Sequence, residues 1–115
     1  INTYDSEISL NRINKDFVYE INQIGPFGNG NPAPIFLIKD CIITNVKIIK
    51  DKHVSLILKP KIGRSIKSIC FNSLNTQIEK YLTNYKKNVH VIAEIHENNW
   101  NNKKTIQLNI KDLIV

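Results

Sequence analysis

Ile35-Phe36-Leu37-Ile38-Lys39-Asp40-Cys41-Ile42-Ile43-Thr44-Asn45-Val46-Lys47-Ile48-Ile49 is the stretch from which the fold can be read. Branched and aromatic side chains dominate it, and such residues fit the half-buried surface of a pleated sheet. Fifteen residues make a run well beyond the usual strand of about 5–6, so it is expected to bend or to carry a bulge. Just ahead of it lies Pro26-Phe27-Gly28-Asn29-Gly30-Asn31-Pro32-Ala33-Pro34. Proline lacks the amide donor and glycine is too permissive for a regular element, so this segment is a shaped loop. Phe27 is its one large apolar side chain, placed to pin the irregular backbone. Pro26, Phe27, Gly28, Gly30, Asn31, Pro32 and Pro34 are therefore read as a structural joint between two bodies.

Working outward, residues 15–24 place Phe17, Val18, Ile21 and Ile24 at helical spacing. Asn14 is the expected N-cap, Asp16 lies in the first turn and Gly25-Pro26 is the stop. Residues 4–10 alternate weakly around Ile8 and Leu10, as in an edge strand whose partners lie upstream and outside this chain. Beyond the long run, residues 53–59 set Val54, Leu56 and Leu58 against Ser55, Ile57 and Lys59. Residues 64–71 set Ile66 and Cys70 against Lys67, Ile69 and Phe71. Both read as half-buried strands. The period then changes: Leu74, Ile78, Tyr81, Leu82 and Tyr85 share one helical face over 74–85, with Ser73 or Asn75 to cap it and the two tyrosines as packing residues. Two closing strands follow, one around Val89, Val91, Ala93 and Ile95, the other around Ile106, Leu108 and Ile110, joined by a loop over residues 98–104.

Composition sets the limits. A chain of 115 residues, 42% hydrophobic, buries one modest core. No apolar run approaches the ~18 residues of a membrane span, and the N-terminus lacks a secretory pattern. Beginning at Ile1, the chain reads as a fragment of a longer protein. Cys41 and Cys70 sit in apolar strands without CxxC spacing, so buried, reduced thiols and a cytoplasmic setting are expected. The net charge is +6. Lysine far outnumbers arginine, as an AT-rich genome would impose, so placement says more than the total. Residues 1–24 carry two cations against four anions, whereas residues 41–70 carry seven cations against Asp51 alone.

Three strands, a helix and two strands, with the first strand long, is the order of the OB-fold, a five-stranded Greek-key barrel. The fold class is thus mainly β, with a short strand and an amphipathic helix ahead of the barrel. That fold binds its ligands on its second and third strands and on the loops between strands 1–2 and 4–5. Lys47, Lys50, Lys52, His53, Lys59, Lys61, Arg64 and Lys67 fall on or beside those elements, and Lys59, Lys61, Arg64 and Lys67 flank a single hairpin. Trp100, Lys103 and Lys104 lie in the last loop. These eleven residues are the expected nucleic-acid-binding set, gripping a strand by backbone charge and occasional stacking. Trp100 either stacks on a base or covers the barrel end, and its polar neighbours favour stacking. His53 either contacts phosphate or is an exposed loop histidine. Phe71 is expected in the core, as phenylalanines generally are.

Pro26-Phe27-Gly28-Asn29-Gly30-Asn31-Pro32-Ala33-Pro34-Ile35-Phe36 resembles the PFGxGNPxPxF signature of the RecJ family of single-strand-specific exonucleases. Tyr4-Asp5-Ser6-Glu7-Ile8-Ser9-Leu10 is similar to the segment leaving the family's DHHA1-type domain. His53, Phe71, Asn98-x-Trp100 and Gln107-Leu108-x-Ile110-x-Asp112 also match, so the likeness covers nearly the whole chain. It departs at Ser55, where many relatives carry a basic residue, and at Lys87-Asn88, which replaces a glycine-containing turn. The resemblance implies residues 1–34 as the tail of the preceding domain with its connector, and residues 35–115 as the OB domain. It implies a bacterial parent hydrolase, a 5′-to-3′ exonuclease on single-stranded DNA in recombination and repair, with Mn²⁺ or Mg²⁺ in a DHH catalytic region.

None of that region's Asp and His motifs occurs in this chain, which is read as non-catalytic and without a cofactor of its own. His90 and His96 on one strand stand roughly 20 Å apart at ~3.3 Å per residue, too far to share an ion. Glu94 and His96 are close enough, but one pair does not close a site. No nucleophile and base stand together, and the loop glycines lack the lysine-serine pair of a phosphate cradle. Two functions remain: binding single-stranded DNA for the catalytic domains of the same chain, or docking an acidic partner tail such as that of single-strand-binding protein.

Overall fold

Apolar alternation does more here than mark strands: it closes them into a ring. The computed structural model describes residues 4–23, 33–73, 76, 79–80, 82 and 88–114. Six strands are present among them: β1 (Ser6–Ser9), β2 (Ile35–Ile49), β3 (His53–Lys59), β4 (Ile66–Cys70), β5 (Val89–Trp100) and β6 (Lys103–Ile114). β2 pairs with β3, β3 with β4, β4 with β6 and β6 with β5, and β5 returns to β2. The result is a closed five-stranded barrel of OB-fold order, parallel only between β4 and β6.

β2 serves both neighbours because it bends. Its first half pairs with β5 and its second with β3, with register shifts between Ile38 and Cys41 and between Thr44 and Lys47. Asp40 and Asn45 take positive φ in those intervals, at 59° and 54°. Asp and Asn tolerate that left-handed region better than other side chains with a Cβ, so the bulges fall where the long run is least apolar.

The segment ahead of the barrel belongs to the same core. The sequence pattern predicts for β1 a partner outside the chain; instead it lies parallel to β2, with Ser6 opposite Phe36 and Ser9 opposite Lys39. Asp5 locks the start of this ladder, its N–H donating to the Ile35 carbonyl at 2.7 Å and its Oδ2 accepting from the Ile35 N–H at 2.8 Å. A 3-10 turn over Leu10–Arg12 leads into α1 (Lys15–Asn22), where Asn14 accepts from the Phe17 N–H at 2.9 Å as the predicted N-cap. Phe17 then meets Phe36 of the barrel edge-on, at 5.7 Å between ring centres. Ile8, Leu10, Ile13 and Ile21 join Ile38, Leu56, Leu58 and Leu108 in one apolar cluster. Each large aliphatic side chain so buried contributes about 1.5–3 kcal/mol.

Between β4 and β5, Glu79, Lys80 and Leu82 are helical and Leu82 is buried. Thr76 is the cap: its hydroxyl accepts from the Glu79 N–H at 3.2 Å and donates to the Ser73 carbonyl. Ser73, one of the two expected caps, turns its hydroxyl back to the Cys70 carbonyl at 2.9 Å. The remainder of the predicted 74–85 helix, including Asn75, Tyr81 and Tyr85, lies outside the described residues. So do Ile24, Gly25, Lys87 and the joint residues Pro26, Phe27, Gly28, Gly30, Asn31 and Pro32. Pro34, half-buried, leads directly into β2.

Cys41 and Cys70 are free, buried thiols. Burial, with the Asp40 carboxylate beside it, pushes Cys41 up to about 12, and burial also raises Cys70. Neither is a thiolate near neutrality. Among the described residues no helix is long and apolar enough to cross a membrane.

Candidate nucleic-acid interface

Strand alternation sorts the side chains of β3 and β4. Val54, Leu56 and Leu58 point into the barrel, which leaves His53, Ser55, Ile57 and Lys59 on the outer surface. On β4, Ile66, Ser68 and Cys70 are buried, while Lys67 and Ile69 face outward. Pairing then lines these residues into rows. Thr44, Ile57, Lys67 and Gln107 stand abreast across β2, β3, β4 and β6, and Lys47, Ser55, Ile69 and Asn109 form the next row. An amide chain flanks them: Asn98 Nδ2 donates to Gln107 Oε1 at 2.9 Å, and Gln107 Nε2 donates to Asn109 Oδ1 at 3.0 Å.

At one end of this surface lies a residue whose type predicts a place in the core. Phe71 is 49% exposed in the turn just after β4. It meets the His53 ring edge-on at 5.1 Å. His53 is half-buried and held, not a free loop histidine: its Nδ1 accepts the Asn72 N–H at 2.9 Å, which directs Nε2 as the donor of the neutral ring. Lys47, Lys50 and Lys52 are exposed around the same end. Lys50 and Asp51, with φ of 53° and 56°, are the central residues of a turn closed by the Lys52 N–H donating to the Ile49 carbonyl at 3.2 Å, within a three-residue β2–β3 connection.

The opposite end carries Lys59, Lys61, Arg64, Lys103 and Lys104, all exposed. Here the chain departs from the predicted loop over 98–104. Asn98, Asn99 and Trp100 pair with Thr105, Lys104 and Lys103, so β5 and β6 run on as a ribbon closed only by Asn101-Asn102. Those two residues adopt φ of 50° and 62°, conformations that asparagine tolerates. Trp100 is thus the last residue of β5, opposite Lys103, rather than a loop residue. Arg64 and Ser65, predicted in a strand, precede β4, which begins at Ile66.

The remaining candidates resolve into internal contacts. Glu94 Oε1 lies 2.8 Å from His96 Nε2 and 3.9 Å from Lys111 Nζ. His90 Nδ1 accepts the Asp40 N–H at 3.1 Å. Among the described residues no three His, Cys, Asp or Glu side chains gather as a metal site.

A family model described as the RecJ OB domain matches residues 4–112. The single-stranded-DNA-specific exonuclease RecJ of Bacillus subtilis is 27% identical over 105 residues, covering 90% of this chain and 13% of that protein. The chain thus spans about an eighth of this relative. The crystal structure of RecJ in complex with Mg²⁺ from Thermus thermophilus superposes with a TM-score of 0.59 at 19% identity, covering 87% of this chain and 14% of the other. A mitochondrial single-stranded DNA binding protein of S. cerevisiae, Rim1, superposes with a TM-score of 0.55 at 17% identity over 71% of this chain and 91% of its own. The last two show the fold, whereas the family match runs from ahead of β1 into β6: the chain belongs to the RecJ OB domain family.

Proposed function

We propose that this domain binds single-stranded DNA along the outer surface of β3 and β4, as the strand-holding module of a RecJ-like exonuclease. The observation that carries the reading is the make-up of that surface. Half-buried Ile57 and Ile69 and exposed Phe71 offer apolar contact for bases, Ser55, Gln107 and Asn109 offer polar contact, and cations stand at both ends. A single strand presents those same two features, bases and a phosphate at every step. Trp100 belongs to the set as a stacking residue of the β5–β6 end. The names of the relatives in Bacillus subtilis and S. cerevisiae agree with the reading. Hydrolysis, with its Mn²⁺ or Mg²⁺, resides in this view in the DHH and DHHA1-type regions of the parent chain.

The test is a fluorescence-anisotropy titration of labelled dT20 at several salt concentrations. Micromolar binding with log affinity falling linearly in log salt is expected. No binding at tens of micromolar in low salt, with binding of an acidic peptide instead, overturns the reading in favour of a docking module.

A further inference from the structure

A groove of about 860 Å³ opens where the residues ahead of the barrel meet the starts of β4 and β6. Its floor is apolar, formed by Leu10, Ile13 and Ile66, which are buried, and Ile106, which is half-buried. Its rim is cationic: Lys15 stands on one wall, and Arg64, Lys67 and Lys104 on the other, with Asp16 the one lining carboxylate. Among the described residues none of these four cations forms an ion pair. The wall is built in place rather than incidental. Asn11 Nδ2 donates to the Ile62 carbonyl at 2.8 Å, tying the β3–β4 hairpin to the 3-10 turn. Gly63 fits beneath that tie with φ of 135°, and a Cβ there would lie 1.9 Å from Asn11 Oδ1.

From this we propose that the groove is a second seat for the strand, taking a stretch of phosphodiester backbone with a base or sugar against the apolar floor. The inference rests on the outer-surface reading and extends it. Lys67 belongs to both places, standing abreast of Ile57 and Gln107 on the outer surface and lining the groove. A strand following β4 therefore reaches the groove without leaving cationic ground. Unpaired cations facing each other across an apolar floor match a polymer that carries charge at every unit along its edge and apolar faces between. An acidic peptide matches the charge alone. The new member is Lys15, which comes from the N-terminal part of the chain where anions outnumber cations.

Lys15 is exposed at the start of α1, so Lys15→Ala leaves the core untouched. The probe is labelled dT20 titrated at several salt concentrations. Each phosphate neutralised on a single strand contributes ~0.7 to the salt slope. Lys15→Ala is expected to lower the slope by about 0.7 and the affinity about fivefold at 0.1 M salt, with Lys15→Arg restoring both. Lys39→Ala, which removes only the exposed Lys39–Glu7 pair at 3.1 Å, should bind as the unsubstituted protein does. A dT20 carrying 4-thiothymidine should photo-crosslink to the peptide containing residues 10–16. An unchanged slope for Lys15→Ala and no crosslink there, with dT20 still bound, overturns the groove and leaves the outer surface standing. Loss of dT20 binding by the unsubstituted protein removes the outer-surface reading, and the groove as a strand seat falls with it. Poly-glutamate bound through Lys15 while the dT20 slope stays unchanged makes the groove a peptide seat and overturns the proposal.

Discussion

The two ends of the outer surface are built differently. At the β2–β3 end a ring is the prominent feature, with Phe71 exposed against His53 and lysines around it. At the β5–β6 end the prominent feature is concavity, a charged groove with an aliphatic floor. A flat ring is suited to one stacked base at a time, whatever its identity. A groove with cations on two walls is suited to backbone. In the proposed reading the Phe71 end leans on stacking and the groove on charge, with Trp100 a second stacking residue at the β5–β6 end, along roughly 17 Å of a five-residue strand at ~3.3 Å per residue.

The sharpest way to break this contrast is Phe71→Ala. Stacking of a base on an aromatic ring is worth about 1–3 kcal/mol, so dT20 affinity should fall roughly 5–150-fold with the salt slope unchanged. Being half-exposed, the residue should cost little in thermal stability. A change in slope with no loss of stacking would mean that the two ends are not distinct in kind. Gly63→Ala strikes the other end. A side chain at φ of 135° is strained and displaces Asn11, and such strain costs about 1–3 kcal/mol. A lower melting temperature and weaker binding should follow, while crosslinking near Phe71 persists. Lys47→Ala should lower affinity about fivefold at 0.1 M salt and the slope by about 0.7, the signature of one phosphate contact. The smallest net effect is expected from Ser55→Lys. Ser55 lies between Lys47 and Ile69 in one row, so a lysine there adds about 0.7 to the slope, offset in part by its repulsion from Lys47.

Much of this contrast can be read before any coordinates, and the exceptions have physical causes. The strand order, the bent β2, the Asn14 cap and the buried thiols follow from local pattern, because period and turn chemistry act over a few residues. Phe71 is one exception, expected in the core but standing exposed in the turn after β4, on the outward phase that Lys67 and Ile69 set. The general burial of phenylalanine competes there with the parity of the strand, and parity wins. The run from Asn98 to Lys104 looks like a loop because it is polar, yet a ribbon in solvent needs only paired backbone and a turn that accepts positive φ. The groove is not legible at all. Lys15 and Arg64 are about fifty positions apart, and non-local contacts without a sequence signature, the parallel pairing of β1 with β2 and the Asn11–Ile62 hydrogen bond, bring their segments together.

That pairing has a mechanical consequence. Ser6 to Ser9 lie side by side with Phe36 to Lys39 in the same direction, and Asp5 clamps the ladder at its start. A pull on Tyr4 along the strand axis, against a barrel held at its other end, loads these four pairs in shear, together, rather than peeling them one by one. Force-spectroscopy pulling from Tyr4 against Ile114 should show one resisting peak, and Asp5→Ala should lower it. β1 thus gives the barrel an anchorage suited to bearing tension along the strand axis.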